Sequence, residues 1–462
     1  MATSALTVTG LADLLDRQAR ARPHAPALVV GDERVPLTYE ALDALAERAA
    51  ERIAAAGLRP GDVLALVAGN TAEFVAALLG AARAGVVAAP LDPALMDAEL
   101  RLRVGELGAS AVLTAEGINR VGVGNVSCSG QESALVLYTA GATGRARMVP
   151  LTRANVAASV NNVCATYALG PEDATVAVMP FFHGHGLFAS LLATLASGGR
   201  VLLPAGGRFS ADTFWADLRA AGASWFTAVP TIHEALLDRS SEAADLGAPP
   251  PLRFVRSCGA PLNAASQRAL ERMFGAPLLS AYGMTEAAHQ IASEPLPERG
   301  PLKHGTVGRA TGVRLRVVGR DGRECAAGVR GEVWVSGPTV AGDGWLRTGD
   351  LGSLDEDGYL SLAGRIGSLI VRRGLAISPE YVEDVLAGCP SVAEAAVFAV
   401  ADRVDAVVVV RGEECVGPSE ILRYCRERLA AVAVPDRVVV VSALPRTAQG
   451  GLDRLAVRER YG

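Results

Sequence analysis

Residues Leu137–Asn155 read LYTAGATGRARMVPLTRAN. The apolar run Ala134-Leu135-Val136-Leu137-Tyr138 leads in and fits a buried strand. A tight turn follows, with Gly141 and Gly144 set among Thr139 and Thr143. Glycine takes positive φ without penalty and lets a backbone approach a ligand closely. Successive backbone N–H groups in such a loop, with hydroxyls beside them, form a concave anion site. The plainer reading is a glycine-rich hairpin turn. The P-loop pattern G-x-x-x-x-G-K-[ST] is absent.

Composition bounds the rest. The chain has 462 residues, half of them hydrophobic, enough for two or more domains with a large core. A net charge of −5 and the lack of a basic patch argue against a nucleic-acid partner. No apolar stretch reaches the roughly 18 residues of a spanning helix, and the N-terminus carries no secretory pattern. The seven cysteines form no CxxC pair. They read as thiols of a cytoplasmic protein, without zinc site or disulfide framework. Lysine occurs once, as Lys303, among 44 Lys and Arg. That imbalance, with so much Ala, Gly and Val, reads as GC-rich coding bias, under which Lys→Arg replacement carries little meaning.

Strands and helices alternate along the chain. Val63–Val67, Val86–Pro90 and Ala111–Leu113 read as strands, with helices at 71–84 and near 97–106. Alternation of this kind implies βαβ units and a parallel sheet. Thr38 is placed to cap a helix beginning at Tyr39. Further strands are expected at 176–180, 200–203, 225–229, 252–257 and 278–281, and residues 239–250 read as a loop. From about 306 the texture turns β-rich. The last hundred residues read as a small α+β unit. The expected architecture is thus a large α/β N-terminal domain, 1–364, with parallel-sheet layers and a β-rich subdomain. A small mobile α+β C-terminal domain, 365–462, follows a hinge near 364–367.

Each remaining motif is weak alone. A His after Phe-Phe is more often packed than catalytic, an Asp after Thr-Gly is usually a turn residue, and a Glu opening a helix suits the dipole. Their order is more telling. The loop at 139–147 precedes Pro180-Phe181-Phe182-His183-Gly184-His185-Gly186, Gly259-Ala260-Pro261 and Tyr282-Gly283-Met284-Thr285-Glu286. Thr348-Gly349-Asp350, Gly364-Arg365 and Gly374-x-x-Ile377-x-Pro379-x-x-x-Glu383 follow. This succession resembles the adenylate-forming superfamily of acyl-CoA synthetases, luciferases and peptide-synthetase adenylation domains. In wording it is most similar to the oxalate–CoA ligases and their small-acid relatives.

The resemblance implies an enzyme that joins a small carboxylic acid to ATP, with Mg²⁺, and passes the acyl group to a thiol of CoA or a carrier protein. It assigns the phosphates to Thr139, Gly141, Thr143, Gly144 and Arg147, with Thr285 at the α-phosphate and Glu286 on Mg²⁺. Gly259, Ala260 and Pro261 would wall the adenine, beside Tyr282 and Gly283. Asp350 and Arg365 would serve the ribose. His183, Gly186, Met284 and Ala287 would line the acyl pocket, and Gly374 the thiol tunnel.

Departures from the family pattern are equally specific. Ala140 and Ala142 replace hydroxyl residues, Ala146 a proline, Arg147 a lysine and Arg153 a histidine. Gly367 stands at the hinge, where the family carries Asp or Lys. Pro445-x-x-x-x-Gly450 is intact, but Gly451 occupies the place of the family's catalytic lysine. Coding bias does not turn lysine into glycine. Three alternatives stay open: a ligase with an altered first half-reaction, a non-catalytic binder of nucleotide or acyl ligand, and an ATP-independent acyl transferase.

Overall fold

The computed structural model describes residues 8–121, 133–139, 147–239, 250–366, 370–372, 375–400, 403–411, 417–446 and 452–462. Residues 240–249 of the loop expected at 239–250 lie outside the described residues, as do Gly141, Thr143, Gly144, Gly367, Gly374 and Gly451. The chain divides into two compact units. One comprises Met1–Pro261, Arg268–Arg314 and Ser336–Leu346; the other comprises Leu262–Gln267, Leu315–Val335 and Arg347–Gly462.

The first unit is α/β. Val63–Val67 lies at the centre of a six-stranded sheet, parallel to Val87–Leu91 on one side and Ala111–Thr114 on the other. Val87–Leu91 in turn pairs in parallel with Ser133–Thr139. Strands buried on both faces must be apolar throughout, and VAAPL is buried at every position. Both ends of the sheet are antiparallel: Gly117–Arg120 closes one, and Arg147–Thr152 closes the other by pairing back on Ser133–Thr139. The helices Tyr39–Ala55 and Ala72–Arg83 start at Thr38 and Thr71, whose hydroxyls accept from Ala41 and Phe74 N–H.

A second sheet carries Trp225–Ala228, Phe254–Cys258 and Leu278–Met284 in parallel, then His289–Ser293 and Arg309–Ala310 antiparallel. A third joins the hairpin Pro26–Val30/Val35–Thr38 to the distant strands Arg200–Leu202 and Ala174–Val176. Asn70 connects separate parts of this unit. Its Nδ2 donates to the Ala177 and Met179 carbonyls at 3.1 and 2.9 Å, and its Oδ1 accepts from Phe181 N–H at 2.8 Å.

The second unit holds a four-stranded sheet from Arg314–Val318, Gly331–Ser336, Leu346–Leu354 and Leu360–Arg365. It also holds a three-stranded sheet in which Val392–Val400 is antiparallel to Arg403–Val410, itself parallel to Arg437–Val441. Helices Pro379–Ala387 and Pro418–Arg426 bury Val382, Leu386, Ile421 and Cys425 in this unit's own apolar core.

Candidate active site

Ligands of open α/β sheets gather beyond the C-terminal ends of parallel strands. In the first unit the motif residues occupy that position. Thr139 ends its strand and pairs with Arg147, whose N–H reaches the Thr139 hydroxyl at 3.4 Å. Cys258 is in register with Ala281, so Gly259-Ala260-Pro261 leaves its strand beside Tyr282–Thr285. The strand Phe254–Cys258 is buried throughout, whereas the three residues after it are exposed.

The segment YGMTEAAHQ forms a tight hairpin. Thr285–Ala287 makes one 3₁₀ turn, then Ala288 and His289 take φ of 47° and 86°. Positive φ on two successive non-glycine residues is strained, and such strain gathers at functional sites. Neighbouring contacts hold the turn in place. The Ser159 hydroxyl donates to the Ala288 carbonyl, and Ala341 N–H donates to the Glu286 carbonyl at 2.8 Å. Gly283 is required sterically, since a Cβ there would lie 1.5 Å from the His289 carbonyl oxygen. Thr285, Glu286 and Met284 are half-buried, Tyr282 is nearly closed off and Ala287 is buried.

The Phe-His segment crosses this turn. A Cβ on Gly184 would meet His289 Cβ at 3.5 Å and Leu137 Cδ1 at 3.7 Å, which brings the strand before the loop, the Phe-His segment and the Glu286 hairpin together. His183 stacks obliquely on Phe182 at 4.8 Å, and its Nε2 is shut off from water without a partner. Gly186 is the second residue of a π-helical stretch, His185–Leu192, and sits where a Cβ would strike the Met179 and Pro180 carbonyls at 2.4 and 2.3 Å. Single π turns occur frequently at functional sites.

Beneath the hairpin lies a group that motif matching did not single out. Arg256 is fully buried. Its Nε donates to Tyr167 Oη at 2.7 Å. Its Nη1 reaches Thr227 Oγ1 and His185 Nε2 at 3.0 and 3.1 Å, and its Nη2 reaches His289 Nε2 and Gln290 Oε1 at 3.0 and 3.1 Å. Every one of these partners is neutral, and none is a carboxylate. Burial, then the Arg256 charge, pushes His185 and His289 well below the ordinary histidine value. The signal was present in the sequence: one arginine inside the apolar strand FVRSC.

His233, on the helix Pro230–Asp238, is likewise fully buried, and burial lowers its pKa to about 4. The unfolded chain therefore binds the extra proton. This contribution to stability is complete above about pH 6.5 and is lost as pH falls toward 4. A His233→Leu variant is expected to gain about 2 kcal/mol on its parent between pH 7.5 and pH 5, over and above any constant repacking cost. Denaturant midpoints across that range measure it; a pH-independent difference would refute it.

In the second unit Thr348-Gly349-Asp350 and Gly364-Arg365 come together as a cross-strand pair. Asp350 is in register with Arg365, whose Nε donates to Asp350 Oδ1 at 2.9 Å and whose Nη2 donates to the Thr348 carbonyl at 3.0 Å. Glu383 of the Pro-x-x-x-Glu motif binds Arg454 through both guanidinium nitrogens at 2.6 Å and accepts from Val397 N–H at 2.7 Å. Arg446 pairs with Glu394 at 2.5 Å. Either arginine would have to leave such a pair to stand in for a lysine at 451.

The family model for AMP-binding enzymes matches residues 15–129 and 122–343, and that for the AMP-binding enzyme C-terminal domain matches 381–450. The chain belongs to the AMP-binding enzyme family. Within it, this AMP-binding enzyme falls among the AMP-forming acid–thiol ligases of the adenylate-forming superfamily. It is 38% identical to an oxalate–CoA ligase of Arabidopsis thaliana over 507 aligned positions, covering 98% of each chain. It is 32% identical to a sulfoacetate–CoA ligase of Cupriavidus necator, covering 96% of each. ATP-bound MatB from Rhodopseudomonas palustris superposes with a TM-score of 0.85 at 28% identity, over 97% of this chain and 99% of that one. No described helix is long and apolar enough to cross a membrane.

Proposed function

We propose that this enzyme adenylates a short dicarboxylic acid such as oxalate and transfers the acyl group to a thiol, CoA or a carrier-protein pantetheine, in the cytoplasm. The observation that carries the substrate class is Arg256, a buried cation with no carboxylate among its hydrogen-bond partners. An unpaired buried charge costs several kcal/mol, and a second carboxylate of the acid would offset it. The unpartnered Nε2 of His183 and Oγ of Ser257, the residue after Arg256, add polar atoms suited to such a ligand. A relative that acts on oxalate and another that acts on sulfoacetate, each named for a doubly anionic acid, agree with that class.

In this reading the free carboxylate attacks the α-phosphorus of ATP, and pyrophosphate leaves. Thr285 orients the α-phosphate, and the loop from Thr139 through Gly141, Thr143 and Gly144 to Arg147 receives the β- and γ-phosphates. Gly259, Ala260 and Pro261 flank the adenine, with Tyr282 and Gly283 beside them. On the second unit, Asp350 and Arg365 serve the ribose. His183, Gly186, Met284 and Ala287 shape the acyl pocket, and Gly374 the thiol path. A hinge at 364–367 would let residues 365–462 turn between the two half-reactions.

Among the described residues no three His, Cys, Asp or Glu cluster into a metal cage. Glu286 is a single half-buried carboxylate. That suits Mg²⁺, which keeps its waters and shares phosphate oxygens with one or two carboxylates. When bound, the ion would neutralise phosphate charge.

A second reading rests on Gly451, Ala140 and Ala142: a thiolation enzyme that takes a supplied acyl-adenylate, with a slow first step. ATP–pyrophosphate exchange over a panel of mono- and dicarboxylic acids separates the two. Exchange stimulated by oxalate and not by acetate supports the first reading. No exchange, with AMP release from supplied oxalyl-adenylate and CoA, supports the second. Neither activity overturns both.

A further inference from the structure

The Arg256 cluster has a proton economy that its ligand must satisfy. The His185 and His289 rings stack at 5.1 Å with 18° between planes, and both present Nε2 to the guanidinium. A guanidinium only donates. Each Nε2 therefore accepts from it; the Thr227 hydroxyl, which itself accepts from Nη1, lies 2.6 Å from His185 Nε2 and donates there, so each ring carries its proton on Nδ1 and is neutral. A proton added at either Nε2 would set N–H against N–H beside a buried cation. Charge at the cluster is thus held at one positive unit while no anion is present.

An anion alters that balance. A monocarboxylate carries one negative charge and leaves the pocket neutral with Arg256 alone. A dicarboxylate carries two and leaves one uncompensated negative charge in a low-dielectric site, a state that buried groups avoid by changing protonation. We propose that a dianionic acid binds at this cluster together with one proton, which the stacked His185–His289 pair takes up at Nε2 as the ligand replaces the guanidinium as its partner. The proton comes from solvent, the imidazole lone pair forms the new N–H bond, and no other bond is made or broken. This rests on the reading of the cluster as the acyl pocket's anion site.

Other groups near the pair are less suited to hold that proton. His233 meets the Arg256 strand through its backbone, and His183 acts on His185 through charge; neither hydrogen-bonds the guanidinium. Tyr167, Thr227 and Gln290 are uncharged partners. Burial keeps the Tyr167 hydroxyl protonated already. Cys258 continues the Arg256 strand, and Glu286 is carried on the turn before His289.

Calorimetric titration of the full chain with oxalate and with acetate, in buffers of different ionisation enthalpy, counts the protons exchanged. About one proton is expected with oxalate and about none with acetate. Oxalate affinity should then fall about tenfold per pH unit above neutrality. Imidazole ¹⁵N spectra should show His185 or His289 becoming an imidazolium with oxalate alone. The variant His289→Asn, a residue tolerant of positive φ, assigns that signal. Oxalate binding with no proton uptake, or uptake at His183 or His233, overturns the proposal and leaves the substrate class standing. Failure of oxalate to bind at all overturns both.

Discussion

A Gly451→Lys variant is expected to form acyl-adenylate from ATP about 10²–10³ times faster than the parent, read as pyrophosphate release with oxalate. The magnitude follows from restoring one preorganised cation at a transition state in which negative charge shifts onto the α-phosphate, worth about 3–4 kcal/mol. Residues 365–462 contain no lysine. Arg454 is held by Glu383 through two hydrogen bonds, and Arg446 is held by Glu394. A freed guanidinium would also present a planar fork where an ammonium presents a compact charge. Thiolation of supplied oxalyl-adenylate should stay within about twofold of the parent, since the lysine acts in the first half-reaction only. An unchanged pyrophosphate rate, with AMP binding intact, would show that Gly451 is compensated elsewhere and not merely a loss.

The second large effect belongs to Arg256→Met. Methionine fills most of the aliphatic volume and removes the charge together with the buried guanidinium's desolvation cost. Replacing a buried ion by a well-packed apolar side chain is often neutral or stabilising, so the fold is expected to persist. Removing one partner of a buried charge pair costs about 2–5 kcal/mol in binding. Turnover of a dicarboxylic acid should therefore fall at least 30-fold in kcat/KM, while any turnover of monocarboxylic acids should be unchanged or rise. Equal losses on both classes would place Arg256 in the scaffold and remove it from the acyl pocket.

Local elements were readable because their causes are local. Val63–Val67 is a strand at the predicted residues because a short apolar run between turn signals can be little else. Thr38 caps its helix because a hydroxyl at that position satisfies an orphan N–H. Helices expected at 71–84 and 97–106 occur at Ala72–Arg83 and Asp97–Leu107. What escaped the sequence is pairing at a distance. The hairpin Pro26–Thr38 shares a sheet with Arg200–Leu202, and nothing in either segment names the other. The strand expected at 176–180 ends at Val176, because Asn70 takes the Ala177 and Met179 carbonyls.

The candidate site divides the same way. Contiguous motifs such as Tyr282–Glu286 could be found by their wording. The cluster around Arg256 draws on Tyr167, His185, Thr227, His289 and Gln290 from separate elements, and only folding assembles it. His185 lies inside the Phe-His motif, and His289 lies three residues beyond the Tyr282–Glu286 motif. Arg256 shows in the sequence only as one charge in an apolar strand.

Asn155 has a consequence for how the first unit transmits force. It closes a capping box with Thr152, at the foot of the Thr139–Arg147 hairpin, and donates through Nδ2 to the Pro338 and Val340 carbonyls at 2.9 and 3.0 Å. The next N–H along, that of Ala341, holds the Glu286 carbonyl. Hairpin, capping asparagine, the 338–341 segment and the Glu286 turn are thus joined end to end by uncharged hydrogen bonds. Displacement of the strand pair at Thr139–Arg147 is carried to the Glu286 turn by a linkage that salt does not screen and that arginine-for-lysine drift leaves untouched. The rigidity joining these two elements is therefore set by amides and carbonyls, leaving the surface charges free to vary.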